Sequence, residues 1–105
     1  MNEELSDEQH NALLQIVLER NRQDAKWGIR LDQPDMIWLG ILAEEFGEVA
    51  KETVDMHFAP QEAEGGIPIF WDTKHLEKEL IQTAAVCVAW YESLIKNRNS
   101  KSKKT

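Results

Sequence analysis

Asp35-Met36-Ile37-Trp38-Leu39-Gly40-Ile41-Leu42-Ala43-Glu44-Glu45-Phe46-Gly47-Glu48-Val49-Ala50-Lys51-Glu52-Thr53-Val54-Asp55-Met56-His57 is the stretch whose reading decides the fold. At 100° per residue, Leu39, Leu42, Ala43, Phe46, Val49 and Ala50 fall on one side of a helix. Glu44, Glu45, Glu48, Glu52 and Asp55 share an arc of about 100° on the other. The pattern predicts an amphipathic helix over 35–57, with Pro34-Asp35 supplying both a break and a cap at its start.

Upstream, Ser6-Asp7-Glu8-Gln9 has the form of a capping box, and Leu13, Leu14, Val17 and Leu18 follow at helical spacing. A first helix is expected over 7–27, ended by Gly28. Downstream, Ala59 to Trp71 holds Pro60, Pro68 and the Gly65-Gly66 pair, which exclude a regular helix and read as a long, partly ordered loop. Asp72 or Thr73 then caps a third helix with the apolar stripe Leu76, Leu80, Thr83, Cys87, Trp90 and Leu94. From Asn97 onward the chain is polar and basic, and fraying is expected.

No strand alternation and no internal repeat is present, so the expected fold is all-α: a helical bundle of three main helices per chain. The expected organisation is a single helical domain over 1–98 and a basic flexible tail over 99–105. Three helices would cover Trp38 and Trp90 poorly, so oligomerisation is expected to complete the bundle.

At 105 residues the chain has room for one core, and 42% hydrophobic with 30% charged residues is a globular rather than a disordered composition. No run approaches the roughly 20 apolar residues of a membrane span, and the first residues lack a secretory pattern. A cytoplasmic location and no membrane partner are therefore expected. The net charge of −7 understates the acidity of the body, because Lys96, Arg98, Lys101, Lys103 and Lys104 crowd the end; stable nucleic-acid binding is not expected. Cys87 lies in the apolar run Ala84 to Ala89 and reads as a buried small hydrophobe.

The chemistry concentrates in Glu44, Glu45 and Glu48. At i, i+3 and i, i+4 spacing these carboxylates converge on one region, and like charges 4 Å apart repel by about 1 kcal/mol in water and about 4 kcal/mol at an effective dielectric constant of 20. A hard divalent cation, Mg²⁺ or Mn²⁺, would offset that repulsion; a merely solvated acidic face is the plainer alternative. Glu79 lies about 20° from Val86 and Trp90 on its helical wheel, at the edge of the apolar stripe, where a carboxylate needs a partner or a metal. Gln82, one turn on, adds an oxygen on the same face. Gly47 leaves room for a helix or ligand beside the carboxylates. Arg22 and Lys26 share a face near the end of the first helix, suited to phosphate, and Trp27 could stack on a base.

Glu44-Glu45-Phe46-Gly47-Glu48 followed by Glu79-Leu80-Ile81-Gln82 resembles the E-E-x-x-E … E-x-x-D signature of the MazG-like, all-α nucleoside triphosphate pyrophosphohydrolases. Glu19 to Gly28 is similar to the first helix of their small phage and bacterial members, so the resemblance spans most of residues 10–95. Gln82 stands where the family carries Asp and brings an oxygen without a charge. The resemblance implies Mg²⁺-dependent hydrolysis of (deoxy)nucleoside triphosphates between the α- and β-phosphates, giving monophosphate and pyrophosphate. It also implies a homodimer or homotetramer. Glu44, Glu45, Glu48 and Glu79 would be metal ligands, with one of them the general base and Gln82 a further ligand.

Two other classes compete. A di-iron bundle needs paired Glu-x-x-His motifs, and neither His57 nor His75 follows a Glu by three residues. A non-enzymatic acidic adaptor or inhibitor would use the Glu44 to Asp55 face to bind a basic partner.

Overall fold

Ser6 opens helix α1 (Asp7–Trp27) in the computed structural model, which describes residues 4–58 and 73–103. Its hydroxyl accepts from the Gln9 amide at 3.1 Å while the Gln9 side chain accepts from the Ser6 amide at 2.8 Å, so the reciprocal cap forms as expected. At the other end Gly28 takes φ 80°, a left-handed value that disfavours other residues, and its amide donates to the Asp24 carbonyl at 2.8 Å. Helix α2 (Asp35–His57) begins behind Pro34, and α3 (Lys74–Lys103) follows. The loop expected over 59–71 lies outside the described residues. Among those described there is no strand, and no helix is long and apolar enough to cross a membrane.

Helix α3 continues beyond Asn97, where fraying is expected from sequence, and is helical to Lys103. Residues 97–103 contain neither Gly nor Pro, and cations near a helix C-terminus are favoured by the macrodipole.

Both α1 and α2 pack on α3 and not on each other, so α3 is the spine of the molecule. The core sits where α2 crosses it: Trp38, Val86 and Ala89, covered by Ile41, Leu42 and Trp90. The face that α3 buries is made of small residues, Ala85, Val86, Ala89 and Ser93. This corrects the expected stripe, because Leu80, Cys87 and Leu94 are exposed. Two helices seated on one spine need short side chains at the contact, which set how closely the axes approach. Cys87 is accordingly a surface thiol, and Trp38, expected to be poorly covered, is buried within the single chain.

Three polar ties hold this arrangement. Buried Arg20 donates from Nε to Glu92 on α3 at 2.8 Å and from Nη1 to Asp24 at 2.9 Å. Ser93 Oγ, wholly buried, donates to the Leu31 carbonyl at 2.5 Å, and Trp90 Nε1 donates to Asp35 at 2.9 Å. The connection between α1 and α2 is thereby fastened to the spine at its middle, and α2 at its first residue.

Arg20→Met keeps the aliphatic bulk but leaves Asp24 and Glu92 without their cation. Urea unfolding is expected to show a loss of about 1–3 kcal/mol, as for other charged hydrogen bonds that leave partners behind. Lys51→Ala, which removes the exposed pair of Lys51 with Asp55, should leave the midpoint unchanged.

Candidate active site

The helical spacing of α2 puts Glu44 and Glu48 at the surface and Glu45, between them in sequence, half-buried against the bundle. Glu79 and Gln82 on α3 are also half-buried, in keeping with an inward lean at the edge of the packed face. Burial, followed by the charges of Glu79, Glu19, Glu48 and Glu44, holds the Glu45 carboxyl above its ordinary range. Carboxylates from all three helices thus act on one side chain, and Glu45 is the centre of the cluster.

Glu19 is the member that the sequence reading does not include. Arg22 grips it through two bonds, Nη2 to Oε2 at 2.6 Å and Nε to Oε1 at 2.8 Å, and Gln23 donates to it at 3.2 Å. The hydrogen bond from Arg22 holds the Glu19 carboxyl below its usual range against the opposing effect of burial. Its spacing from Arg22 is legible in sequence as an i, i+3 ion pair. Its nearness to Glu45 depends on how α1 lies against α3.

Arg22, Lys26 and Trp27 gather at the end of α1. The Lys26 ammonium lies 4.8 Å from the centre of the exposed Trp27 ring and the Arg22 guanidinium 5.9 Å from it, a cation–π arrangement. Beside them a half-open cavity of about 300 Å³ is bounded by Trp27 and Gln23 of α1, Trp38, Glu44 and Glu45 of α2, and Val86 of α3. Glu44 and Glu45, the first two carboxylates of the cluster, line it together with Arg20, Asp24 and Arg30. Among the described residues a Cβ built at Gly47 would meet nothing within 4 Å, so no described element uses the approach that this glycine allows.

Among the described residues, no three carboxylate, imidazole or thiol groups are already gathered closely enough to hold a metal ion. Searches with the chain find no matching family model, no matching curated protein and no matching solved structure.

The raised Glu45 pKa has a definite consequence for stability. Folding disfavours the ionised form, so the penalty is absent where the carboxyl is protonated in both states. It grows as pH rises through the unfolded value near 4.5 and is complete above the higher folded value. Glu45→Gln is therefore expected to raise the metal-free melting temperature at pH 7 and to leave it unchanged near pH ~3. Calorimetry at the two pH values checks the sign.

Proposed function

We propose that the chain is a nucleoside triphosphate pyrophosphohydrolase that depends on Mg²⁺ or Mn²⁺ and works as a homo-oligomer. The observation that carries this reading is Glu45: a half-buried carboxylate pressed by four others from three helices, lining a cavity that Trp27 also lines. Such a cluster raises proton affinity at one position and concentrates negative charge beside it, as a site for cations and polyphosphate requires.

The donor set fits a hard divalent ion. Mg²⁺ takes one or two carboxylates and completes its shell with water and substrate phosphates, so a cage of three gathered protein groups is not needed beforehand. Glu44, Glu48 and Glu79 would hold it, with the Gln82 oxygen as a neutral further ligand. When bound, the ion screens phosphate charge and makes a water more acidic.

The remaining steps belong to the chain's own residues. Glu45, with its raised proton affinity, takes a proton from water as the water oxygen bonds to the α-phosphorus. The bond from that phosphorus to the α–β bridging oxygen breaks, and pyrophosphate leaves with the electron pair. Lys26, and Arg22 once phosphate competes with Glu19 for it, balance charge that the ion does not cover. Trp27 offers its face to the base.

Leu13, Leu14, Val17 and Leu18 on α1, Phe46 on α2, and Leu80, Tyr91 and Leu94 on α3 are all exposed in the single chain. That is more apolar surface than a lone small protein ordinarily leaves in water, and a second copy would cover it. Light scattering at micromolar concentration is expected to give at least twice the 12.1 kDa chain mass. A clean monomer would overturn the oligomeric part.

Pyrophosphate release from a panel of nucleoside triphosphates with Mg²⁺ tests the activity. Glu48→Gln, which keeps shape and removes one charge, is expected to lower turnover by about 100-fold or more while the metal-free melting temperature holds or rises. Turnover near the parent's, with a lower melting temperature, would make the acidic face structural and overturn the assignment.

A further inference from the structure

Helix α3 carries a second apolar face besides the one it packs on. Leu80, Ala84, Cys87, Tyr91 and Leu94 follow one another at alternating steps of four and three residues, the spacing of a seam along which helices pair. On the helical wheel Leu80, Cys87, Tyr91 and Leu94 fall within about 60° of one another, nearly opposite the buried Ala85, Val86, Ala89 and Ser93. Leu80 is 49% exposed, Tyr91 64% and Leu94 47%, and Cys87 is exposed between them. An apolar stripe of this length on a small soluble chain marks a place of contact.

We propose that this seam is where two copies of the chain meet, with their α3 helices antiparallel about a two-fold axis at Cys87. The inference rests on the oligomeric part of the reading above and not on its chemistry. A two-fold contact must be self-complementary, and the seam is so in both shape and charge. Leu80 and Leu94 lie seven residues to either side of Cys87, so the axis sets Leu80 of each copy opposite Leu94 of the other. Cys87 and Ala84 at the centre are small enough to let the helices approach closely.

The charges give the same centre independently. Glu77 lies ten residues before Cys87 and Arg98 eleven after it, both exposed and both on the seam side of the wheel. Antiparallel pairing about Cys87 sets Glu77 of each copy beside Arg98 of the other. A parallel pair would instead set Glu77 against Glu77 and Arg98 against Arg98, and would align the two helix dipoles unfavourably. The α3 residues that line the cavity, Val86 and Ala89, belong to the opposite face, so the seam takes none of them.

Cys87 is the only cysteine, so a bis-maleimide with a two-carbon spacer joins two copies only if their Cys87 thiols lie side by side. The native full chain at micromolar concentration is expected to become mostly covalent dimer, and chain unfolded in urea is expected to stay monomeric. Tyr91→Asp, which places a charge on the exposed seam, is expected to abolish the cross-link. In the Cys87→Ala background, chains carrying Leu80→Cys and chains carrying Leu94→Cys are expected to cross-link when mixed, and neither alone. Cross-linking of either alone but not of the mixture would show a parallel pair and overturn the proposal. Native chain that resists cross-linking while light scattering gives a dimer would overturn the seam and keep the oligomer, whereas a monomer by scattering would overturn both. Pyrophosphate release measured on the same samples keeps the outcomes apart: a cross-linked dimer without hydrolysis supports the seam and counts against the hydrolase, and hydrolysis without cross-linking does the reverse.

Discussion

The guanidinium of Arg20 is the constraint on which the geometry of the site depends. Helices α1 and α2 do not pack on each other, so everything that α1 contributes beside the acidic face of α2 is positioned through α3. Arg20 makes that connection from a buried position, with one bond to Glu92 on the spine and two to Asp24 on its own helix. Its neighbour Glu19, one residue back along the helix, is thereby brought within electrostatic reach of Glu45. A planar, permanently charged group with several donors suits a tie that must be buried and shared between two carboxylates.

The charge cluster works against the fold that holds it. Glu45 sits where burial and four carboxylates all disfavour its ionised form, and Arg22 offsets part of this by gripping Glu19. Local arrangements of this kind lower stability and are characteristic of functional sites, where they are retained for what they bind. The buried indole N–H of Trp38, which has no acceptor among the described residues, adds a desolvation cost of its own.

The spine explains why so much apolar surface faces outward. Seating two helices on α3 requires Ala85, Ala89 and Ser93 at the contacts, which leaves the larger Leu80, Val88 and Leu94 on the outside. Leu13, Leu14 and Leu18 of α1 are likewise exposed, whereas the residues that α1 buries are Arg20 and Gln23. The inward face of this chain is smaller and more polar than its outward one, the reverse of a self-sufficient monomer.

Local determinants made much of this protein legible from sequence alone. The ends of α1 and the start of α2 follow from a reciprocal cap at Ser6 and Gln9, a left-handed glycine at 28 and a break at Pro34, each a feature of residues close in the chain. The grouping of Glu44, Glu45 and Glu48 is likewise a property of one helix and its 3.6-residue turn. Tertiary structure alone decided which face of α3 is buried, because periodicity ranks residues by hydrophobicity whereas two helices packed on one spine select for size. It alone buried Trp38 and exposed Cys87. It also made Glu19 part of the cluster and Glu45 its centre, since electrostatic energy depends on distance through space, and that distance is set by packing between helices far apart in the chain.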